Sequence, residues 1–186
     1  LRGIRVEKPA TGSGHLTIAN VHLAEAAFYG IAVEASYETV EILDSTVEYA
    51  ADGGIVIYSA SKLTATAAVT IAGNRVTNIV PCEGLTLCYD TPLVSGIAVA
   101  YVPELLVEGN FVGEMNYADG ISAAYTLHST VRGNELRDVV GASGITVLPE
   151  KSGSAVVEDN WISNSKAGPF MEQEEPNKFY GAQVIS

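Results

Sequence analysis

Three tyrosines are the side chains of this sequence best suited to bind a ligand, because they recur at one place of a repeating phrase. Tyr89, Tyr101 and Tyr125 each lie five residues after a glycine, and Tyr58 lies one place earlier in its own phrase. Rings aligned on one edge would form a platform for sugars, since they combine apolar faces with hydroxyl groups. Strand alternation gives this place the parity of buried residues, which favours a stack of rings packed internally or against a turn and leaves substrate binding as the alternative.

A column of charged residues could serve either stability or catalysis. Glu108, Arg132 and Glu158 occupy equivalent places in three successive phrases, which predicts a surface column of ion pairs. The catalytic alternative makes Arg132 a general base or a substrate clamp. Flanking carboxylates keep a guanidinium protonated, so the pattern favours the ion-pair column.

Paired carboxylates would indicate glycoside hydrolysis, and the chain offers Asp52 and Asp119 for such a pair, with Asp90 as a further catalytic candidate. Asp119, like Asp52, directly precedes the repeated phrase. Ser95 and Ser143 take the same place in other phrases, and this exchange of aspartate with serine is typical of turns, where both bond to nearby backbone N–H groups.

Metal ligands are sparse in the sequence. Glu83 and Asp90 offer oxygen atoms of the kind that calcium prefers, but the glycine-aspartate nonapeptide of calcium-binding β-rolls is absent. His15, His22 and His128 share no place in the repeat, whereas zinc needs three or four convergent donors. We therefore predict no metal and no cofactor, with calcium as the alternative.

The elements that position these residues form an internal repeat. An aliphatic anchor is followed two places later by Gly, Asn or Asp, and five places later by a second aliphatic residue. The anchors are Ile18, Ile42, Ile71, Val107, Val131 and Val157. At the second place, residues that tolerate a left-handed turn include Gly73, Gly109 and Gly133. At the third place, amides that can stack as a hydrogen-bonded ladder are Asn74, Asn110, Asn134 and Asn160.

A second phrase, Gly-Ile followed by alternating small and aliphatic residues, predicts a short strand with one buried face. From Ile97 to Ile121 and on to Ile145 the step is 24 residues. A unit this small cannot bury its own apolar face, so successive units must stack. The positions expected to form a smooth, exposed outer face are Ala32, Val56, Thr86, Ala98, Ser122 and Thr146. The predicted fold is an all-β parallel solenoid of about six to seven coils.

The stretches "GIAVAYVPELLVEGNFV" and "GITVLPEKSGSAVVEDNWI" resemble right-handed parallel β-helix repeats of the pectin-lyase-like superfamily. The resemblance extends from Gly3 to Ser163 and implies a right-handed β-helix. It also implies an extracellular or cell-surface protein that is associated with carbohydrate, and that binds a polysaccharide or cleaves it as a lyase or hydrolase. Phage tailspikes, adhesins and structural proteins share the scaffold, so a non-catalytic solenoid of a cell surface, filament or stalk is the alternative.

The repeat also suggests the organisation of the chain. Residues 1–165 are predicted to form the β-helix, and residues 166–186 a cap, a docking segment or the lead into a further coil; the start at Leu1 suggests an excerpt of a longer protein. The gap between Ile71 and Val107 predicts a half-coil insertion near residues 78–95. This insertion holds Cys82 and Cys88, which form either a disulfide, in an oxidising compartment, or two free thiols.

Charge limits the partners that the chain can bind. It holds 22 acidic and 10 basic residues, a formal net charge of −12, which disfavours nucleic acid and anionic membrane surfaces. No apolar run approaches the roughly 20 residues that a membrane span needs, so no membrane insertion is predicted. A polysaccharide or a neighbouring surface or structural protein is the expected partner.

Overall fold

A computed structural model describes residues 3–7, 14–34, 37–58, 66–80, 94–116, 118–141, 143–167 and 182–184 of the chain. These residues hold eighteen β-strands and no helix. Strands of successive coils pair in parallel around three faces. The all-β parallel solenoid predicted from the repeat is therefore confirmed.

The first face is built from the Gly-Ile phrases. Its strands are β1 (Ile4–Val6), β4 (Tyr29–Val33), β7 (Gly53–Tyr58), β10 (Ser95–Ala100) and β18 (Ala182–Val184), with the first parts of β13 (Asp119–Arg132) and β15 (Ile145–Glu158). Ile97 pairs with Ile55 on one side and with Ile121 on the other, so equivalent residues stack in register. Ala182 pairs with Ile145, so the tail of the chain adds a strand to this face.

The second face is built from the anchor strands. It contains β2 (His15–Ala19), β5 (Thr39–Leu43), β8 (Ala68–Ala72) and β11 (Glu104–Glu108), with the later parts of β13 and β15. Val107 pairs with Ile71 and with Val131. Because β13 and β15 continue from the first face to the second, the two faces form one sheet.

The third face is a separate sheet. It contains β3 (His22–Leu23), β6 (Thr46–Glu48), β9 (Arg75–Thr77), β12 (Phe111–Asn116), β14 (Glu135–Gly141) and β16 (Trp161–Ser163), while β17 (Lys166–Ala167) pairs with the end of β14. The first six of these strands stack one per coil, which makes about five turns from the first to the last. This count is slightly below the six to seven coils predicted.

Aliphatic side chains from all three faces meet in one core along the solenoid axis. The fully buried isoleucines of the first face are Ile31, Ile55, Ile97, Ile121 and Ile145. Each contributes roughly 1.5–3 kcal/mol of burial free energy. The strand-leading glycine is required by the close approach of the third face, because a Cβ on Gly96 would lie 2.4 Å from Val112 Cγ1.

The corner between the second and third faces is a left-handed turn followed by a ladder of asparagines. The residues with positive φ at this corner are Asn20, Asp44, Gly73, Gly109, Gly133 and Asp159. The amide of Asn110 lies between those of Asn74 and Asn134: Asn74 Nδ2 donates to Asn110 Oδ1 at 3.0 Å, and Asn110 Nδ2 donates to Asn134 Oδ1 at 2.9 Å. Asn134 Nδ2 continues the ladder to Asn160 Oδ1 at 2.8 Å. These bonds hold successive coils at one spacing and so fix the relative positions of surface residues.

The insertion leaves the stack between β9 and β10. Gly53 of β7 pairs directly with Ser95 of β10, so no further coil lies between these two strands. The extra residues therefore fall within the range 78–95 predicted for them. Cys82 and Cys88 lie outside the described residues.

The outward side chains of the first face are buried, which corrects the smooth exposed face expected from the sequence. Ala98 is only 1% exposed, and Ala32, Val56 and Ser122 are also buried. Alternation shows which side chains point away from the core, but it does not show whether that side of the strand is covered. Thr86 lies outside the described residues.

Candidate functional site

Three tyrosines form a column at the corner between the first and second faces. Tyr58 ends β7, Tyr101 follows β10, and Tyr125 lies within β13 where its pairing register shifts. The rings of Tyr101 and Tyr125 are stacked, with centroids 4.8 Å apart and planes 5° from parallel. Tyr58 meets Tyr101 edge-on at 5.9 Å. Three successive coils thus contribute one ring each to a continuous column.

The column faces solvent at a corner of the coil, so its rings stack at a turn and not inside the core. Tyr125 is 45% exposed, and Tyr58 and Tyr101 are half-buried. The backbone is left-handed at Tyr101 (φ 62°) and at Tyr125 (φ 56°). A left-handed residue ends the regular alternation of a strand and turns its side chain outwards, at a cost on the order of 1–2 kcal/mol for a residue with a Cβ. The parity argument fails because it assumes an unbroken strand.

Stacking limits how these tyrosines can hold a ligand. The facing surfaces of Tyr101 and Tyr125 cover each other, so no sugar ring fits between them. Each phenol still carries a hydroxyl that can donate and accept a hydrogen bond. The column is therefore suited to a chain that runs parallel to the solenoid axis and meets successive rings at the coil spacing of about 4.8 Å.

A pocket of about 260 Å³ lies on the outer side of the first face, between β1 and β4. Its lining residues are Gly3, Ile4, Arg5, Phe28, Tyr29, Ala32 and Glu34. Arg5 Nη2 donates to Glu34 Oε2 at 2.6 Å, and Arg5 Nη1 lies 3.4 Å from Glu7 Oε1. Phe28 is 58% exposed and Tyr29 half-buried, so the pocket joins two aromatic rings to a fixed ion pair.

Burial and charge shift the acid groups around this pocket. The pKa of Tyr29 is raised by burial first, and then by the negative charges of Asp52 and Glu34. Burial also raises the pKa of Asp52, which lies in the turn before β7. The pKa of Arg5 is raised chiefly by its hydrogen bond to Glu34, so Arg5 stays charged.

Strand register places the pocket in line with the tyrosine column. Val33 pairs with Ile57, so the next residues, Glu34 and Tyr58, occupy equivalent places in adjacent coils. The order along the solenoid is therefore the pocket with Glu34, then Tyr58, Tyr101 and Tyr125. A signal for this was available in the sequence, since Glu34 follows Gly30 by four residues as Tyr58 follows Gly54.

Arg132 and Asp119, the candidate catalytic residues within the described chain, lie at opposite ends of β13 and on different faces. Arg132 Nε donates to Glu108 Oε2 at 2.8 Å. The pKa of Arg132 is raised first by this hydrogen bond and then by the negative charges of Glu108 and Glu158. A guanidinium that holds its proton this tightly is unsuited to act as a general base. Asp119 Oδ1 accepts a hydrogen bond from the backbone N–H of Ser143 at 2.8 Å, as a turn aspartate does.

Two of the predicted site residues, Asp90 and Tyr89, lie outside the described residues. Because β7 pairs directly with β10, the coil of Tyr58 is followed immediately by the coil of Tyr101.

The third face carries a second set of aromatic rings, which the sequence-based reasoning missed. Arg75 Cζ lies 4.2 Å from the ring centroid of Phe111, and Arg137 Cζ lies 5.0 Å from that of Trp161. Each arginine is also paired with a glutamate, so the charges of this cluster balance. Cation–π contacts of this kind contribute roughly 0.5–1 kcal/mol each at exposed sites, which marks the cluster as stabilising the face.

Metal and membrane sites are not apparent in the described parts of the chain. Within them, no three His, Cys, Asp or Glu side chains converge as a metal site requires. The acidic pair considered for calcium, Glu83 and Asp90, lies outside those parts. No helix among the described residues is long and apolar enough to cross a membrane.

The chain belongs to the family of right-handed β-helix regions, whose family description matches residues 10–184. The match spans nearly the whole chain and agrees with the parallel solenoid described above. No curated protein matches the sequence. No solved structure matches it either. Membership establishes the fold and its hand, while the function has to be argued from the surface.

Proposed function

We propose that this β-helix binds an extracellular polysaccharide, with the sugar chain lying parallel to the solenoid axis. The observation that carries the proposal is the solvent-facing column of Tyr58, Tyr101 and Tyr125. Exposed aromatic side chains with polar tips suit sugars, because one group offers both apolar surface and a hydrogen-bonding hydroxyl. Regular stacking of the coils and ring contacts along the column hold the tyrosines in place, so little conformational entropy is lost on binding.

We propose binding rather than cleavage for the described surface. Lyase chemistry would need Arg132 to lose a proton, and Glu108 opposes that loss. Hydrolase chemistry would need two carboxyl groups on either side of one glycosidic bond, roughly 5–9.5 Å apart. Asp119 is engaged by the backbone N–H of Ser143, and Asp90, the other carboxylate candidate, lies outside the described residues.

A tyrosine variant with a matched control tests the proposal. Affinity electrophoresis through gels that contain a neutral or an acidic polysaccharide measures binding as retardation, and the net charge of −12 drives migration. Tyr125→Ala should lose most of the retardation of the wild type. Tyr49→Ala is the control, because Tyr49 is also exposed and left-handed (φ 58°) but lies outside the column. Equal losses in the two variants, or no retardation of the wild type, would refute the proposal.

A structural or adhesive solenoid is the second candidate function. It is favoured by the parallel stacking of successive coils and by the aromatic surface of the third face, where Trp161 is exposed. Such a surface suits lateral packing in a filament, stalk or surface layer. Sedimentation velocity would support this candidate if the wild type assembles with rising concentration and Trp161→Ala does not.

A further inference from the structure

We propose that the pocket of Arg5, Phe28, Tyr29 and Glu34 binds an uncharged sugar unit at one end of the polysaccharide, whose chain continues along the tyrosine column. This inference rests on the proposed function and adds to it a chain-end subsite with a charge preference. The alignment of Glu34 with Tyr58 carries it, because pocket and column form one continuous path along the solenoid.

The size of the pocket suits a single sugar ring. Sites that enclose drug-sized ligands measure roughly 300–1,000 Å³, and this pocket, at about 260 Å³, lies just below that range. A longer stretch of polysaccharide would have to extend out of the pocket. The tyrosine column offers such an extension a surface that begins in the next coil.

The pocket also has the chemical groups that recognise a sugar. Phe28 and Tyr29 provide apolar ring surface for the C–H groups of a pyranose. Glu34 accepts hydrogen bonds from sugar hydroxyls, and Arg5 donates to ring or hydroxyl oxygens. The 2.6 Å hydrogen bond between Arg5 and Glu34 holds both side chains in place before the ligand arrives, which lowers the entropic cost of binding.

Charge selects an uncharged sugar over a uronate. Arg5 is the one cation among the residues that line the pocket, and it is already paired with Glu34 and Glu7. Asp52 adds a further carboxyl group close enough to Tyr29 to raise its pKa. A uronate would bring a negative charge against these carboxylates, and the described residues that line the pocket hold no second cation to meet it, which disfavours binding.

The experiment compares intact neutral polysaccharides with their own partial hydrolysates as competitors in the affinity gel. The panel contains amylose, dextran, xylan, galactomannan and laminarin, with polygalacturonate and alginate as acidic members. A hydrolysate with about ten times as many chain ends should displace the wild type at roughly one-tenth of the mass concentration, because the number of ends sets the effective ligand concentration.

Variants separate the pocket from the column. In Glu34→Gln and Phe28→Ala, the hydrolysate should no longer compete better than the intact polymer, while the gel should still retain both variants. The control is Glu104→Gln, because Glu104 is an exposed glutamate of β11 outside the pocket; the hydrolysate should still compete better against this variant. The chain-end subsite would be overturned if the hydrolysate competed no better than the intact polymer against the wild type, or equally well against the wild type and Glu34→Gln. Either result would leave the proposed function standing. Preferential retention by the acidic polymers would overturn the charge preference. No retention by any polymer would overturn both proposals.

Discussion

Replacing Asn110 with alanine should cost about 3 kcal/mol of folding free energy, because its amide lies at the centre of the ladder. Asn110 is 1% exposed. Its Nδ2 donates to the carbonyl oxygens of Ile71 and Glu108 at 2.9 and 3.0 Å and to Asn134 Oδ1 at 2.9 Å. Its Oδ1 accepts from the backbone N–H of Asn74 at 2.9 Å and from Asn74 Nδ2 at 3.0 Å.

The magnitude follows from the groups that lose their partner. Asn134 Oδ1 keeps the backbone N–H of Asn110, and Asn74 Nδ2 keeps two carbonyl oxygens, so these atoms stay bonded. The N–H of Asn74 and the carbonyl of Ile71 lose their bonds to the amide. Roughly 1–3 kcal/mol for the buried N–H left unsatisfied and roughly 0.5–1.5 kcal/mol for the hydrogen bond lost at the carbonyl together give about 3 kcal/mol. This is a large share of the 5–15 kcal/mol that typically stabilises a domain.

Equilibrium unfolding in urea, followed by circular dichroism, measures the change. The control is Asn116→Ala, because Asn116 is an exposed asparagine at the end of β12 and its truncation should cost less than about 0.5 kcal/mol. Equal costs for the two variants would refute the account of the ladder. A changed slope m in Asn110→Ala would show that the variant also alters the surface exposed on unfolding.

Three further predictions concern glycines and a buried acid. Gly96→Ala should lower the stability by roughly 1–3 kcal/mol in the same urea assay, because its Cβ would overlap Val112 Cγ1; an unchanged midpoint would contradict this. Gly109→Asp should lower the stability by roughly 1 kcal/mol, because the left-handed φ of 61° strains a residue with a Cβ even though no atom lies within 4 Å of that Cβ; a gain in stability would be inconsistent with the turn geometry. Burial raises the pKa of Asp52 above 3.8, so the folded state holds this proton more tightly and the wild-type stability falls as pH rises from 3.8 through the raised value. Asp52→Asn should remove that fall in stability. If the stability of the variant and of the wild type changed equally with pH, this prediction would be wrong.

The backbone of the solenoid could be predicted from the sequence because it depends on local residue types that recur at a fixed spacing. Gly109 and Asn110 stand at a corner where other coils carry glycine, aspartate or asparagine and then an amide, and a single repeat shows the physical reason for each residue type. Stacking then follows from the size of the unit, which cannot bury its own apolar residues.

The candidate site could be predicted only in part. The tyrosines were found, but their exposure was not, because the left-handed backbone at Tyr101 and Tyr125 breaks the alternation on which the parity argument depends. The pocket was missed because Arg5 and Glu34 come from different coils and occupy different places of the Gly-Ile phrase, so the repeat does not show that their side chains meet. The burial of Ala98 was also missed, since it depends on what covers the outer side of the strand.

Binding of a neutral polysaccharide by the chain tests the central claim most directly. The protein would be incubated with the panel of neutral and acidic polysaccharides, with retained protein and released fragments both measured by mass spectrometry. The account predicts retention on at least one neutral polysaccharide with no release of oligosaccharides. Release of unsaturated uronides or of saturated fragments would contradict binding without cleavage, and failure to bind any member of the panel would leave the structural solenoid as the function.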